Sequence, residues 1–480
     1  MSTTVLTTRG PVRGERRADG SSRFLGIPYA QPPVGELRFA APVPPESWSE
    51  PLDATAYGPT AQRRPFAEVT TIPEPSIPGA GVLNLNVFTP DTAPAAGLPV
   101  LVWIHGGGYV AGSAASPWYD GAAFNRDGVV LVSFGYRLGV EGFLHLEDAP
   151  DNRGVRDWIA ALEWVRDNIA AFGGDPAKVT IAGQSAGGGA VQTLLAVPAA
   201  EGLFRGGISV SGAVLTPDGP EVARAAARLF TARTGVPATA AALRDLTDDE
   251  ILDFQDVLAE PGPDREGLPP MLALAPFADG ELIPVPVRDA LTRGDAAADV
   301  PLMLGFTEHE FTMIPAPGPE GPPLPVLLGG LGLDPARTAA FTEAYAAGGE
   351  DLLFGQAMTD ATFRAPNLAV ADARAARERP TWFYEFTWRS PVVGIAFHCL
   401  DLPFAFDLLD AEGVRDVAGD APPRALADAL HRAWVAFVTD QDPGADWPRY
   451  TAGERATMLW DAEPRIASDP LRRVRELWLD

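Results

Sequence analysis

The chain has 480 residues, 46% hydrophobic and 21% charged, a globular composition with length enough for a large core. Its 37 basic and 63 acidic side chains leave a net charge of −26, so the surface repels phosphate backbones and anionic membranes; nucleic acid is not an expected partner. The one cysteine, Cys399, allows no intrachain disulfide and no multi-cysteine metal site. The N-terminus MSTTVLTTRG lacks the basic patch and apolar run of a secretory signal. Apolar stretches such as VVLVSFGY fall far short of the roughly 18 residues that span a bilayer. A soluble cytoplasmic protein without membrane attachment is expected. Lys178 is the only lysine, an arginine bias that hints at high-GC bacterial coding.

Along the chain, LPVLVWIH (98–105) and VVLVSFGY (129–136) are nearly continuous apolar runs beside glycines, as in strands buried on both faces. Between Asn152 and Phe172 the period changes. Val155, Trp158, Ile159, Leu162, Val165 and Ile169 fall on one helical face, which Gly173-Gly174-Asp175-Pro176 ends. VTIAG (179–183) and GISVS (207–211) read as two further buried strands. Strands alternating with helices predict an α/β architecture, a mostly parallel sheet covered on both faces. The stretch from about 220 to 380 is Ala- and Pro-rich and mostly helical or irregular, interrupted by the strand VPLMLGF (300–306). WFYEFTW (382–388) returns to strand, and ALADALHRAWVAFV (425–438) is an amphipathic helix. No linker separates domains, so residues 1–480 are expected to form one catalytic domain with helical insertions.

Gly183-Gln184-Ser185-Ala186-Gly187 is the only G-x-S-x-G in the chain. It follows the strand VTIAG and precedes GGGAVQTLLAV, able to form a helix. A serine at such a strand-to-helix turn is held in strained backbone with its hydroxyl exposed. The helix N-terminus adds unpaired N–H groups and positive dipole. Ser185 is therefore the candidate nucleophile. His105-Gly106-Gly107-Gly108-Tyr109 follows the strand LVWI, and its glycines let backbone N–H groups turn towards a substrate. The N–H groups of Gly107, Gly108 and Ala186 would form a three-donor oxyanion hole.

These blocks resemble the type B carboxylesterase/cholinesterase family, most of all its bacterial para-nitrobenzyl-esterase-like members. LGIPYAQPPVGELRFAAP (25–42), LNVFTP (85–90), WIHGGGYVAGS, SFGYRLGVEGFL and NIAAFGGDPAKVTIAGQSAGG stand in the family order. FADGELIP (277–284), PLMLGFTEHE (301–310) and GIAFHCLDLPFAF (394–406) complete it. The resemblance implies an α/β-hydrolase fold and a serine carboxylesterase working without metal or organic cofactor on a small-molecule ester.

A hydrolase of this kind orders its residues Ser, acid, His. Of the histidines after Ser185, His309 lies between two glutamates without an acid of its own upstream. His431 sits on the amphipathic helix beside Leu430 and Trp434 and reads as structural. His398, in the loop after WFYEFTW, also fills the histidine place of the family's Gly-x-x-x-His pattern from Gly394, and is the candidate base. Chemistry alone leaves Glu308 and Glu310 competing for the acid. The resemblance maps the triad acid to Glu310 and puts His309 where the family has Asp.

The chain departs from the family elsewhere. Gln184 stands where Glu usually precedes the nucleophile, which touches pH tuning rather than catalysis. Ala80-Gly81-Val82 replaces Glu-Asp-Cys, so the early disulfide is missing and Arg38 loses a carboxylate at position 80. Gly135 and Asp157-Trp158 look like packing changes. A non-catalytic binding protein on the same fold is the competing class, although every catalytic role is retained here. Lactones, carbamates, amides and acyl transfer remain open because one triad serves all. A metallohydrolase H-E-x-x-H helix fails, since Met313 occupies the second histidine position. Trp118, Tyr119, Phe311, Trp388 and Phe397 read as packing more than as specificity. A monomer is expected.

Overall fold

The computed structural model describes residues 2–65, 70–214, 218–260, 262, 264–265, 268, 273–318 and 321–479. Its thirteen strands, in chain order, are β1 Ser2–Leu6, β2 Pro11–Arg16, β3 Ser22–Pro28, β4 Leu52–Asp53, β5 Asn84–Thr89, β6 Leu98–Ile104 and β7 Val130–Phe134, then β8 Gly174–Gln184, β9 Gly206–Val210, β10 Leu302–Thr307, β11 Thr381–Phe386, β12 Ala456–Trp460 and β13 Arg465–Ser468. They join one sheet in the order β1-β2-β3-β5-β7-β6-β8-β9-β10-β11-β12-β13, with β4 beside β2. From β7 to β12 every pairing is parallel; β1, β2, β3 and β5 run antiparallel at one end and β13 at the other. The mostly parallel sheet, covered by helices, is the α/β-hydrolase fold.

The period of two along β6 shows how the sheet is sandwiched. Val100, Val102 and Ile104 join one hydrophobic cluster with Val155, Trp158 and Leu162 of the helix Arg153–Asn168. Leu101 and Trp103 point the other way, into a cluster with Leu430, Trp434 and Phe437 of the helix Arg424–Asp440. A strand apolar at every position is what a sheet buried on both faces requires. The first of these helices runs on as a tight turn, Ile169–Phe172, and stops at Gly173 in left-handed backbone (φ 81°). The stop therefore falls where the glycines predict it, although β8 already begins at Gly174.

Between β9 and β10 lie the helices Pro220–Thr234, Ala240–Leu243, Asp248–Ala259 and Val287–Thr292. Between β10 and β11 lie Leu324–Gly330, Pro335–Tyr345, Leu353–Thr359 and Ala365–Ala375, the last two joined by a π-helical turn, Asp360–Arg364. No helix among the described residues is long and apolar enough to cross a membrane.

Arg38 has not lost its partners. Its guanidinium pairs with Glu141 at 2.7 Å and Asp248 at 2.9 Å, carboxylates from two other parts of the chain. Asp157, one of the departures, is the buried partner of Arg137: the guanidinium reaches both carboxylate oxygens, at 2.9 and 2.7 Å, and the Arg137 N–H adds a third bond at 3.0 Å.

Candidate active site

All the chemistry-bearing segments converge on the C-terminal ends of the parallel strands, where open α/β sheets bind ligands. Ile104 of β6 pairs with Gly183 of β8, and Gln184 with Val210 of β9, so the glycine loop after β6 lies beside the turn after β8. Ser185 caps the helix Ala186–Ala196 with φ 58° and ψ −121°, a strained conformation at the turn. Its N–H bonds the Val210 carbonyl at 2.9 Å, locking the turn to β9. The turn needs glycine at 187, because a Cβ there would lie 2.0 Å from the Ile104 carbonyl oxygen.

The loop after β6 is equally constrained. Gly107 has φ 108°, and its carbonyl accepts from Val110 and Ala111 at 3.0 and 2.8 Å. Gly108 follows at φ 59°. Beneath it the His105 ring stacks on Tyr136 with centroids 4.5 Å apart, and burial lowers its pKa to about 4, so the ring is neutral. From the far side Glu74, paired with Arg63 at 3.3 Å, accepts the Gly112 N–H at 3.2 Å. Among the described residues, the N–H groups of Gly107, Gly108 and Ala186 have no hydrogen-bond acceptor. The first two are on the loop, the third on the helix terminus.

β10 and β11 carry the two remaining residues. Glu310 and Phe397 form a parallel bridge beyond the strand ends, which brings the two loops together. Glu310 Oε2 accepts from His398 Nδ1. Its Oε1 accepts from the Ser211 hydroxyl at 2.6 Å and the Thr307 N–H at 2.8 Å. Glu308 is on the other side: its carboxylate faces Arg389 at 3.2 Å. Of the two candidate acids, only Glu310 meets His398. The intervening His309 accepts the Ala396 N–H on Nδ1 at 3.3 Å, and burial lowers its pKa, so the departure from Asp removes a charge.

His398 is flanked by the rings of Phe311 and Phe363, each with its centroid 5.0 Å away. Burial opposes its protonation, but the facing Cys399 thiol and Glu310 carboxylate outweigh that and raise its pKa. Gln184, next to Ser185, sets its amide nitrogen 3.0 Å from His398 Nε2. The site thus brings together Ser185, Glu310, His398, Gly107, Gly108 and Ala186. His431 lies apart, buried against Phe124, with its two nitrogens on the Ala405 carbonyl and Asp127. Trp118 and Tyr119 are buried core, whereas Phe311 faces the site.

Sequence reasoning passed over four neighbours. Ser211 and Thr307 hold the outer oxygen of Glu310, Cys399 touches Gln184, and Asp401 accepts from Tyr384 at 3.0 Å. Burial and the nearby Glu310 push the Asp401 pKa up to about 7. Their one sequence signal is position, each being at or just past a strand end or within three residues of His398. Below them Arg364, from the π-helical turn, pairs with Asp360 at 3.1 Å and Glu385 at 3.0 Å and donates to the Glu308 carbonyl, pinning the loop that carries Glu310.

The model of the carboxylesterase family matches residues 1–321 and 351–478. The chain is 36% identical to a para-nitrobenzyl esterase of Bacillus subtilis over 99% of this chain and 98% of the relative. It is 33% identical to a phenmedipham hydrolase of Pseudarthrobacter oxydans over 97% of both. Among solved structures, a PNB esterase superposes with TM-score 0.88 at 34% identity over the whole of both chains. A Geobacillus stearothermophilus carboxylesterase does so with TM-score 0.86 at 34% identity, over 99% of this chain and all of the other. The chain belongs to the carboxylesterase family and is a carboxylic ester hydrolase.

Proposed function

We propose that this hydrolase works through an acyl-enzyme on Ser185, with His398 as general base and Glu310 orienting it. In this reading His398 Nε2 takes the hydroxyl proton as Ser185 Oγ attacks the ester carbonyl carbon. The carbonyl oxygen, now anionic, accepts from the N–H groups of Gly107, Gly108 and Ala186. The C–O bond then breaks, and the alcohol leaves with the proton held on Nε2. Water repeats the cycle on the acyl-enzyme, giving the carboxylic acid and free Ser185. These steps use no metal or organic cofactor.

The observation that carries the reading is the Glu310–His398 contact. A carboxylate on Nδ1 fixes the tautomer with its lone pair on Nε2, the form a general base needs. Ser185, in the residue next to the Gln184 amide that reaches Nε2, stands on the adjacent turn. An apolar, aryl-bearing ester suits the site, since one relative is named for para-nitrobenzyl esters and Phe311 and Phe363 face His398. The reading extends to one catalytic unit over residues 1–480, acting as a monomer in the cytoplasm. A sheet running from Ser2 to Ser468 and a single cysteine suited to a reducing compartment support it.

The test is a rate profile over p-nitrophenyl esters of increasing acyl length, run beside Ser185→Ala. Turnover with a length optimum, falling to background in the variant, is expected. A variant as active as the wild type would remove Ser185 from the role.

A further inference from the structure

Gln184 sits where an amide has two hydrogens and finds two acceptors. Its Nε2 lies 3.0 Å from His398 Nε2 and 3.0 Å from Cys399 Sγ. Its other end is closely covered: a Cβ on Gly106 would come within 2.9 Å of Oε1 and 2.7 Å of the Gln184 carbonyl oxygen, so the loop after β6 closes over the amide. Because Nδ1 keeps its proton and donates it in a hydrogen bond to Glu310, Nε2 of the neutral ring is an acceptor, and the amide N–H is what it accepts. Cys399 holds φ 75°, left-handed backbone that favours glycine, and in that conformation its thiol meets the amide. Strain kept at a side chain in contact with the site marks a constraint set by the site.

We infer that Gln184 is a positioning residue whose amide N–H keeps Nε2 of His398 unprotonated, and that Cys399 keeps the amide aimed. The inference rests on His398 being the base. A donor on Nε2 favours the neutral ring and has nothing to give the imidazolium, whose Nε2 carries its own proton. Above the pKa of His398 the amide therefore holds the ring neutral, and it yields Nε2 as the Ser185 hydroxyl takes its place, before the proton moves. A carboxylate at position 184 does the reverse: between two carboxylates the imidazolium is favoured. The other titratable groups that face His398 among the described residues are Glu310, Cys399 and Asp401, with Tyr384 behind Asp401. None of them gives Nε2 a hydrogen bond in place of the amide: Glu310 lies on Nδ1, and the Cys399 sulfur accepts from Gln184.

The experiment is kcat/KM for p-nitrophenyl acetate across pH 5–10, on the full chain and four variants. The acid limb reports protonation of the base. Gln184→Met is expected to move that limb up by roughly 0.5–1 pH, the worth of one hydrogen bond to the neutral ring. Gln184→Glu moves it up by about 1–3, the effect of an adjacent charge, and recovers most of its rate at the alkaline plateau. Cys399→Gly shifts the limb with Gln184→Met while relieving the backbone, and Cys399→Ser, which keeps an acceptor, restores the wild-type limb. A purely structural role lowers all rates without moving the limb; that result, or Ser behaving as Gly at 399, overturns the inference. Ser185→Ala and His398→Ala run alongside separate the two failures. Activity surviving in them refutes the site itself, whereas their inactivity with an unmoved limb refutes only the role of Gln184.

Discussion

Ser211 donates its hydroxyl to Oε1 of Glu310 at 2.6 Å while the other oxygen of that carboxylate holds His398. The two residues come from neighbouring strand ends, and Ser211 itself has positive φ (47°) with its N–H on the Gly305 carbonyl at 2.6 Å. Glu310 is thus held at one oxygen, by Ser211 and the Thr307 N–H, while the other meets His398. Removing the hydroxyl deletes one hydrogen bond to a buried charged acceptor, about 1.5–3 kcal/mol. Ser211→Ala is expected to lower kcat roughly tenfold or more with KM nearly unchanged, because the loss falls on orienting His398. Steady-state kinetics on a p-nitrophenyl ester check it; a rise in KM at constant kcat would assign Ser211 to substrate binding instead.

Gly107 should tolerate no side chain. A Cβ would sit 2.2 Å from the Ala111 carbonyl oxygen at φ 108°, so alanine has to displace the loop that presents two of the three donors. Loss of a single oxyanion donor typically costs 10²–10³ in rate. Gly107→Ala is expected to fall by about that factor while its far-ultraviolet circular dichroism stays that of the wild type. Wild-type turnover in this variant would show that the loop does not hold the oxyanion.

Asp401 gives a pH dependence of stability with a definite sign. Burial first, then Glu310, raise its folded pKa to about 7, and its Oδ1 has no partner among the described residues. An unfolded Asp titrates near ~3.9. Between about 4 and 7 the folded state keeps a proton that the unfolded state has released, so stability falls as pH rises through this window and levels off above it. Asp401→Asn removes that slope. At pH 8 it should be more stable than the wild type by on the order of 2–4 kcal/mol, with the two converging below pH 4. Calorimetric melting across pH checks this; parallel curves for the two proteins would contradict it.

Arg137 and Asp157 test the packing behind the site. Both side chains are buried, at 1% and 0% exposure, so losing the carboxylate strands a charge that water cannot reach. Asp157→Asn is expected to cost about 3–5 kcal/mol, read as a lower urea midpoint at unchanged slope. A midpoint within error of the wild type would mean that the pair is neutral to folding.

How much of this was legible beforehand follows from what each residue's neighbours are. β6 and β7 announce themselves, since strands buried on both faces must be apolar at every position. β1 to β3 do not: STTVL and PVRGER mix exposed and buried positions, SRFLGIP buried and half-buried ones, and antiparallel pairing, between neighbours and from β3 to the distant β5, makes them strands. Ser185 and the glycine loop were readable because their backbone conformations restrict residue type locally. Glu308 and Glu310 were not separable by chemistry, because what separates them is a hydroxyl 99 residues earlier and a histidine 88 residues later. Arg38 illustrates the same limit. Its carboxylate at position 80 is gone, yet Glu141 and Asp248, 103 and 210 residues away, take its place.

Covalent labelling tests most directly whether Ser185 is the nucleophile made reactive by its surroundings. Diethyl p-nitrophenyl phosphate should inactivate the enzyme at one equivalent per chain, with peptide mass spectrometry finding the diethylphosphoryl group on Ser185. His398→Ala should slow that labelling by orders of magnitude. Inactivation with the adduct on any other residue, or full activity with Ser185 modified, would contradict the account.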